Sequence, residues 1–332
     1  MAHDDAESPT APTVPTAADG LPSFAALLAR RDGRPPGTAW GVFGDDDEVG
    51  TINLLDADRV LAGVAAVRTG EVHSLNWRID RPRVNPYRPA PRRVHLGAGG
   101  PFGRDDYVEP FYLQYSSQWD GLRHVTRAEG FYNGVPAEVV DAPDDTTLGI
   151  HHWAARGIVG RGVLLDVARH LAEVGRPLDP RARVELGPDA LDATAAAQGV
   201  TIEPGDVLLV RTGWAGWYES LDPDAQDAAF TLDSAQPGLG PGEAVAGWLW
   251  DHHVAAAAAD NTALEPMPFQ ADDGSLHRWL LPGFGMPIGE HFWLDGLAEA
   301  CARDRRWTFL FTSAPLHVPG GVGSPPNALA IR

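Results

Sequence analysis

Three short runs in this chain are apolar with no alternation: Val163-Leu164-Leu165, Val207-Leu208-Leu209-Val210 and Val254 to Ala259. Runs of that kind suit strands buried on both faces, as in a parallel sheet. Stretches of helical period lie around them. Asp56 to Thr69 places Val60, Leu61, Val64 and Val67 on one face, with Asp56 as its cap and Gly70 as its stop. Pro188 to Gly199, Glu243 to His252 (Val245, Trp248 and Leu249 on one side) and about Glu290 to Arg303 read as further helices, with a shorter pattern over 21–31. Val72 to Trp77 and Trp307 to Phe311 read as strands. Strands and helices alternate through the second half, with glycine-rich turns between them. The pattern predicts an α/β or α+β domain with a mixed sheet and flanking helices over 21–332.

The periodicity fails in three places. Residues 1–20 are rich in Ala, Pro, Thr and Asp and read as a disordered tail. Residues 79–110 are dense in Pro, Arg and Gly and read as a long loop or lid, a length that is often functional. The third place is Gln114-Tyr115-Ser116-Ser117-Gln118-Trp119-Asp120-Gly121-Leu122-Arg123-His124. If extended, it points Gln114, Ser116, Gln118, Asp120, Leu122 and His124 to one face, because side chains alternate with period two. Four of those six can bind a metal or move a proton. A polar surface strand bending at Asp120-Gly121 is the plainer reading of the same spacing. Trp119 and Arg123 point to the opposite face, toward core or an ion pair.

Composition narrows the partners. The 332 residues carry a formal net charge of -19, which argues against nucleic acid and anionic membranes as partners. The single cysteine, Cys301, excludes an intrachain disulfide and suits a reducing compartment. No stretch approaches the roughly 20 apolar residues of a membrane span. Asp4, Asp5 and Glu7 stand where a signal peptide would need apolar residues, so the cytoplasm is the expected location. The Gly160-Arg161-Gly162 entry is followed by no lysine and forms no GxGxxG, so it is not read as a phosphate loop.

The polar stretch resembles the signature of the cyclase family, which includes arylformamidases (kynurenine formamidase) and isatin hydrolase. That signature runs His-x-Gly-Thr-His-x-Asp-x-Pro-x-His. Asp120 falls on its bridging metal carboxylate and His124 on its terminal catalytic histidine. Gln114 and Gln118 fall on the two metal-binding histidines, Ser116 and Ser117 on the Gly-Thr pair, and Leu122 on the proline. The likeness runs from about Trp40 to the C-terminus, through the strands after Gly162 and Pro204, the strand end at Asp260 and the Gly323-Ser324-Pro325-Pro326 tail. His277 and Glu290, with the Leu280–Gly283 turn between them, match a histidine and glutamate that complete the metal site. The resemblance implies a swivelling β/β/α fold, a homodimer or homotetramer, and hydrolysis of an amide, formamide, lactam or lactone bond in a small metabolite.

In that case Asp120, His277 and Glu290 would hold a divalent metal, with Gln114 and Gln118 as carbonyl-oxygen ligands and His124 as base. Amide oxygens in place of imidazoles favour Mn²⁺ or Mg²⁺ over Zn²⁺, bound weakly, or no metal at all. Without a metal, Asp120 and His124 form an acid–base pair for a lyase, dehydratase or cyclase reaction. Gln118 and Ser117 then donate to an oxyanion, joined by His151 or His152 from the unusual Gly149-Ile150-His151-His152-Trp153 insertion. A third reading is a binder of small molecules that kept the fold and lost the chemistry. Trp40, Phe43, Phe131 and Tyr132 are the aromatics expected to receive a flat substrate, although large aromatics more often serve the core.

Overall fold

The fully apolar runs lie side by side at the centre of a nine-stranded sheet. The structure, a computed structural model, describes residues 20–97, 102–270 and 274–332. All but the last residue of the expected disordered tail lies outside that range. The strands are β1 (Val72–Ser74), β2 (Gln118–Asp120), β3 (Ile158–Leu165), β4 (Val207–Val210), β5 (Ala256–Ala259), β6 (Ile288–Glu290), β7 (Thr308–Ser313), β8 (Gly323–Ser324) and β9 (Leu329–Ile331). Their order across the sheet is β1-β9-β7-β3-β4-β5-β6-β2-β8. The central four, β3 to β6, run parallel. Antiparallel pairs complete both flanks. A parallel centre needs cover on its faces, and every residue of β4, β5 and β6 is buried. This is the mixed α/β sheet with flanking helices that the pattern predicts.

The helix Ala57–Ala66 is capped by Asp56, whose side chain accepts from the Arg59 N–H. It packs on β3 and β7, but not through the expected stripe. Leu61 and Val64 are exposed. Gly63 is the residue of this helix that is fully buried, and a Cβ there would sit 2.6 Å from the Gly160 carbonyl oxygen of β3. Helix and strand therefore meet glycine to glycine, closer than an apolar stripe would allow.

Two further expectations change. Glu290 does not begin a helix. It ends β6, and the helix is Asp295–Asp304. Strand partners on both sides, β5 and β2, outweigh local helical pattern there. His291 follows with φ 52°, which turns the chain out of the strand. Residues 79–110 are not wholly loop. Arg92–His95 pairs antiparallel with Asp106–Glu109, apart from the main sheet. The segment before that hairpin is tied down by Arg81 Nε on Glu219 (2.9 Å), the Arg83 N–H on the Tyr218 hydroxyl (2.9 Å) and the Tyr115 hydroxyl on the Pro82 carbonyl (2.8 Å).

Candidate active site

β2 is shorter than the extended segment expected from the sequence, three residues only, and lies between β6 and β8. Its register with β6 sets Glu290 opposite Gln118 and Ile288 opposite Asp120. Side chains alternate, so Gln118, Asp120 and Glu290 share one face. Trp119 takes the other face, fully buried, where its indole donates to Ser313 Oγ at 2.9 Å. Its register partner is Gly289, where a Cβ would come within 2.4 Å of the Ala258 Cβ and 2.9 Å of the Trp119 ring. A larger residue at 289 would push β6 off its neighbours and move Glu290. Turns at either end of β2 bring in Gln114 and His124, whose N–H bonds the Gly121 carbonyl at 3.0 Å.

His277 comes from a different part of the fold, the helical turn Leu276–Arg278. Its Nε2 lies 3.3 Å from Glu290 Oε1 and 3.7 Å from Asp120 Oδ2. His124 Nε2 is also 3.7 Å from Asp120 Oδ2. One carboxylate oxygen thus faces two imidazoles. Burial by itself would raise the Asp120 pKa, but the charge of His124 and the close approach and charge of His277 outweigh it and hold it at about 2. Glu290 goes the other way, to about 8, because burial and then the Asp120 charge both favour its neutral acid. Burial lowers the His124 pKa, with Asp120 opposing. The His277 pKa ends well above the ordinary value: burial opposes this, but the close Asp120 carboxylate and the hydrogen bonds to Glu265 and Glu290 prevail.

The donor set fits a small divalent cation. Ligand atoms of Asp120, His277 and Glu290 lie within 4.8 Å of one another, and all three residues are buried. Asp120 Oδ2 is buried with no hydrogen-bond partner among the described residues. An orphaned anionic oxygen beside a histidine and a second carboxyl group is a cation's place, and a cation bound there would displace the protons that His277 and Glu290 otherwise hold. Two oxygens and one nitrogen do not by themselves select zinc.

Gln114 and Gln118 are placed differently from the expected carbonyl-oxygen ligands. Both turn their nitrogen to the carboxylates. Gln118 Nε2 donates to Asp120 Oδ1 at 3.1 Å and Glu290 Oε2 at 2.6 Å. Gln114 Nε2 donates to the same Asp120 Oδ1 and lies 3.2 Å from His124 Nδ1. Carboxylate oxygens accept, so they draw the amide nitrogens and leave Gln118 Oε1 buried without a hydrogen-bond partner among the described residues. Oδ1 of Asp120 is saturated by glutamines, and Oδ2 alone is left for chemistry.

Other expected site residues fall elsewhere. His152 pairs with Glu48 at 3.0 Å, and the His151 ring lies tilted against those of His152 and His317. Neither has a contact with Asp120 or His124 among the described residues. Trp40, Phe43, Phe131 and Tyr132 belong to the main core. Their polar ends are used structurally, the Trp40 indole on the Pro282 carbonyl and the Tyr132 hydroxyl on Asp47 at 3.0 Å. Ser117 Oγ donates to the His291 carbonyl at 2.5 Å and accepts from the Trp77 N–H at 2.7 Å, so it braces β2 and offers nothing to an oxyanion.

The open side of the cluster is a cleft of about 220 Å³ lined by His124, His277, Glu265, Val125, Pro266 and Phe269, among others. Phe269 is exposed and sets its ring edge-on to His277, 6.0 Å between centroids. Glu265 and Phe269 were not read from the sequence. Both sit on the loop after β5, past the Asp260-Asn261-Thr262 strand end. In parallel sheets, ligand sites gather outside such carboxyl ends, and that is the signal that points to this loop.

A mixed sheet with an Asp–His–Glu cluster over its edge defines the class, and the comparisons give the family. The family model described as "Putative cyclase" matches residues 74–266. The crystal structure of a novel cyclase is similar at 35% identity and TM-score 0.79, covering 89% of this chain and 97% of that one. The chain belongs to the cyclase family. Isatin hydrolase A from Labrenzia aggregata, bound to benzyl benzoate, shares the fold at 19% identity and TM-score 0.57, covering 82% of this chain and 98% of that one. Isatin hydrolase A from Ralstonia solanacearum does so at 17% identity and TM-score 0.55, covering 82% and 95%. No curated protein matches.

Proposed function

We propose that this protein is a hydrolase that opens a C–N bond (amide, formamide or lactam) or a lactone in a small cyclic or aromatic metabolite, assisted by a divalent metal. The observation that carries the reading is Asp120 Oδ2, buried, without a hydrogen-bond partner among the described residues and 3.7 Å from the Nε2 atoms of both His124 and His277. The isatin hydrolases that share the fold support the reaction class. Asp120, His277 and Glu290 would hold the metal, manganese in preference to zinc. When bound, such an ion polarises a carbonyl and acidifies a water.

The chain's own groups do the rest. His124 borders the cleft and receives the proton of the attacking water, being mostly neutral near pH 7 because burial lowers its pKa. For that role its Nε2 must be bare, which requires Gln114 to give up its bond to Asp120 Oδ1 once a cation takes the charge of that carboxylate, and to turn its carbonyl oxygen to Nδ1. With nitrogen facing Nδ1, as here, the ring proton sits on Nε2 and His124 works as a donor. Phe269 and Pro266 exclude water from one wall of the cleft.

One observation favours the metal-free acid–base reading, a lyase, dehydratase or cyclase. The glutamine amides already satisfy Asp120 Oδ1 and Glu290 Oε2 without a cation. Elemental analysis of the purified protein separates the two. The hydrolase reading expects about one divalent ion per chain, and aryl formamide, lactam or lactone turnover that chelation removes and Mn²⁺ restores. Full turnover after complete metal removal would overturn it.

A further inference from the structure

A buried acid borders the cleft beside His277 without facing Asp120 or Glu290. Glu265 lies on the loop after β5 and is 2% exposed. Its Oε1 gathers three donors: the His277 backbone N–H at 2.9 Å, His277 Nδ1 at 2.6 Å and Ser275 Oγ at 3.0 Å. The loop that carries it is itself fastened. Asn261 Nδ2 donates to the Glu265 carbonyl at 3.0 Å and to the Pro237 carbonyl at 2.8 Å.

A carboxylate oxygen only accepts, so His277 Nδ1 must carry a proton. The other nitrogen, Nε2, faces Asp120 and Glu290 and is the one that would give up its proton to a cation. The backbone and ring of the same residue bond the same oxygen, which fixes the ring plane as well as the proton. We propose that Glu265 is the positioning residue of His277: it orients the ring, holds the proton on Nδ1 and strengthens Nε2 as a ligand for a divalent cation. Carboxylates behind an imidazole ligand act in this way generally, and losing one costs about 10–100-fold in metal affinity. The inference rests on the proposed function only for the use to which Nε2 is put.

Two readouts test it, neither of them turnover. The first is Mn²⁺ affinity by calorimetry for the wild type, Glu265→Gln and Glu265→Leu. Glu265→Gln keeps the shape and can still accept, so it should fold, and its affinity should fall about tenfold or more. The second is the His277 Nδ1 proton signal of the metal-free protein in ¹⁵N-labelled NMR spectra. A charge-assisted bond of 2.6 Å should shift it far downfield. In Glu265→Gln it should move upfield, and in Glu265→Leu it should exchange away. Unchanged Mn²⁺ affinity in Glu265→Gln, or an unmoved His277 signal, overturns the proposal. A wild type that binds no Mn²⁺ defeats the metal part of the proposed function, and the His277 signal then decides the Glu265 inference by itself.

Discussion

Asp120 divides its two oxygens between two tasks. Oδ1 is held by amides from Gln114 and Gln118, while Oδ2 faces His124 and His277. Asp120→Asn keeps the size but replaces one oxygen with a donor, and removes the charge that draws both imidazoles. Activity should fall by at least about 100-fold, the scale of a lost acid–base group, with the melting temperature nearly unchanged. Normal turnover by this variant would show that the site lies elsewhere. The polar stretch singles out Asp120 and His124, because side chains of this chemistry stand out there, whereas His277 and Glu290 enter only through the resemblance to the cyclase family. The sequence could not say which end of each glutamine amide faces the carboxylates. That choice depends on Glu290, 172 residues from Gln118, being set directly opposite it.

At the scale of elements, the glycine contact between Ala57–Ala66 and β3 decides how the helix lies. Helix propensity alone would reward Gly63→Ala by about 1 kcal/mol. The added Cβ, however, meets the Gly160 carbonyl oxygen at 2.6 Å, backbone against which little can yield. Overpacking of this kind costs about 1–3 kcal/mol. Gly63→Ala should therefore destabilise the protein, lowering the denaturant midpoint at constant slope. A midpoint that rises would mean that the helix does not sit where the structure puts it. The apolar stripe of this helix was legible and still misleading: it marked a helix correctly but not its buried side, since Leu61 and Val64 face solvent. Pattern shows where apolar residues are, whereas close approach depends on where they are missing.

Over the whole molecule, the Arg92–His95/Asp106–Glu109 hairpin stands apart from the main sheet and exposes Leu96, Phe102 and Tyr107. A two-stranded hairpin by itself is marginal in water. The exposed apolar residues support a further expectation, that the protein is a homodimer or homotetramer with this arm at the interface. Light scattering should give a multiple of the chain mass, and charged substitutions at Leu96 and Tyr107 should reduce it. A monomer mass for the wild type would end that expectation. No helix among the described residues is long and apolar enough to cross a membrane.

The sequence by itself determined three of the sheet's central strands, β3, β4 and β5, the capped helix Ala57–Ala66 and part of the site's chemistry, because burial on both faces, helical period and clustered polar groups leave local marks. Only the tertiary structure decided that Glu290 ends a strand, that Glu265 stands behind His277, and that His151, His152 and the expected aromatics serve other contacts. Each of those facts is a pairing between residues distant in the chain, set by strand register and loop path, and local pattern carries no record of such pairings.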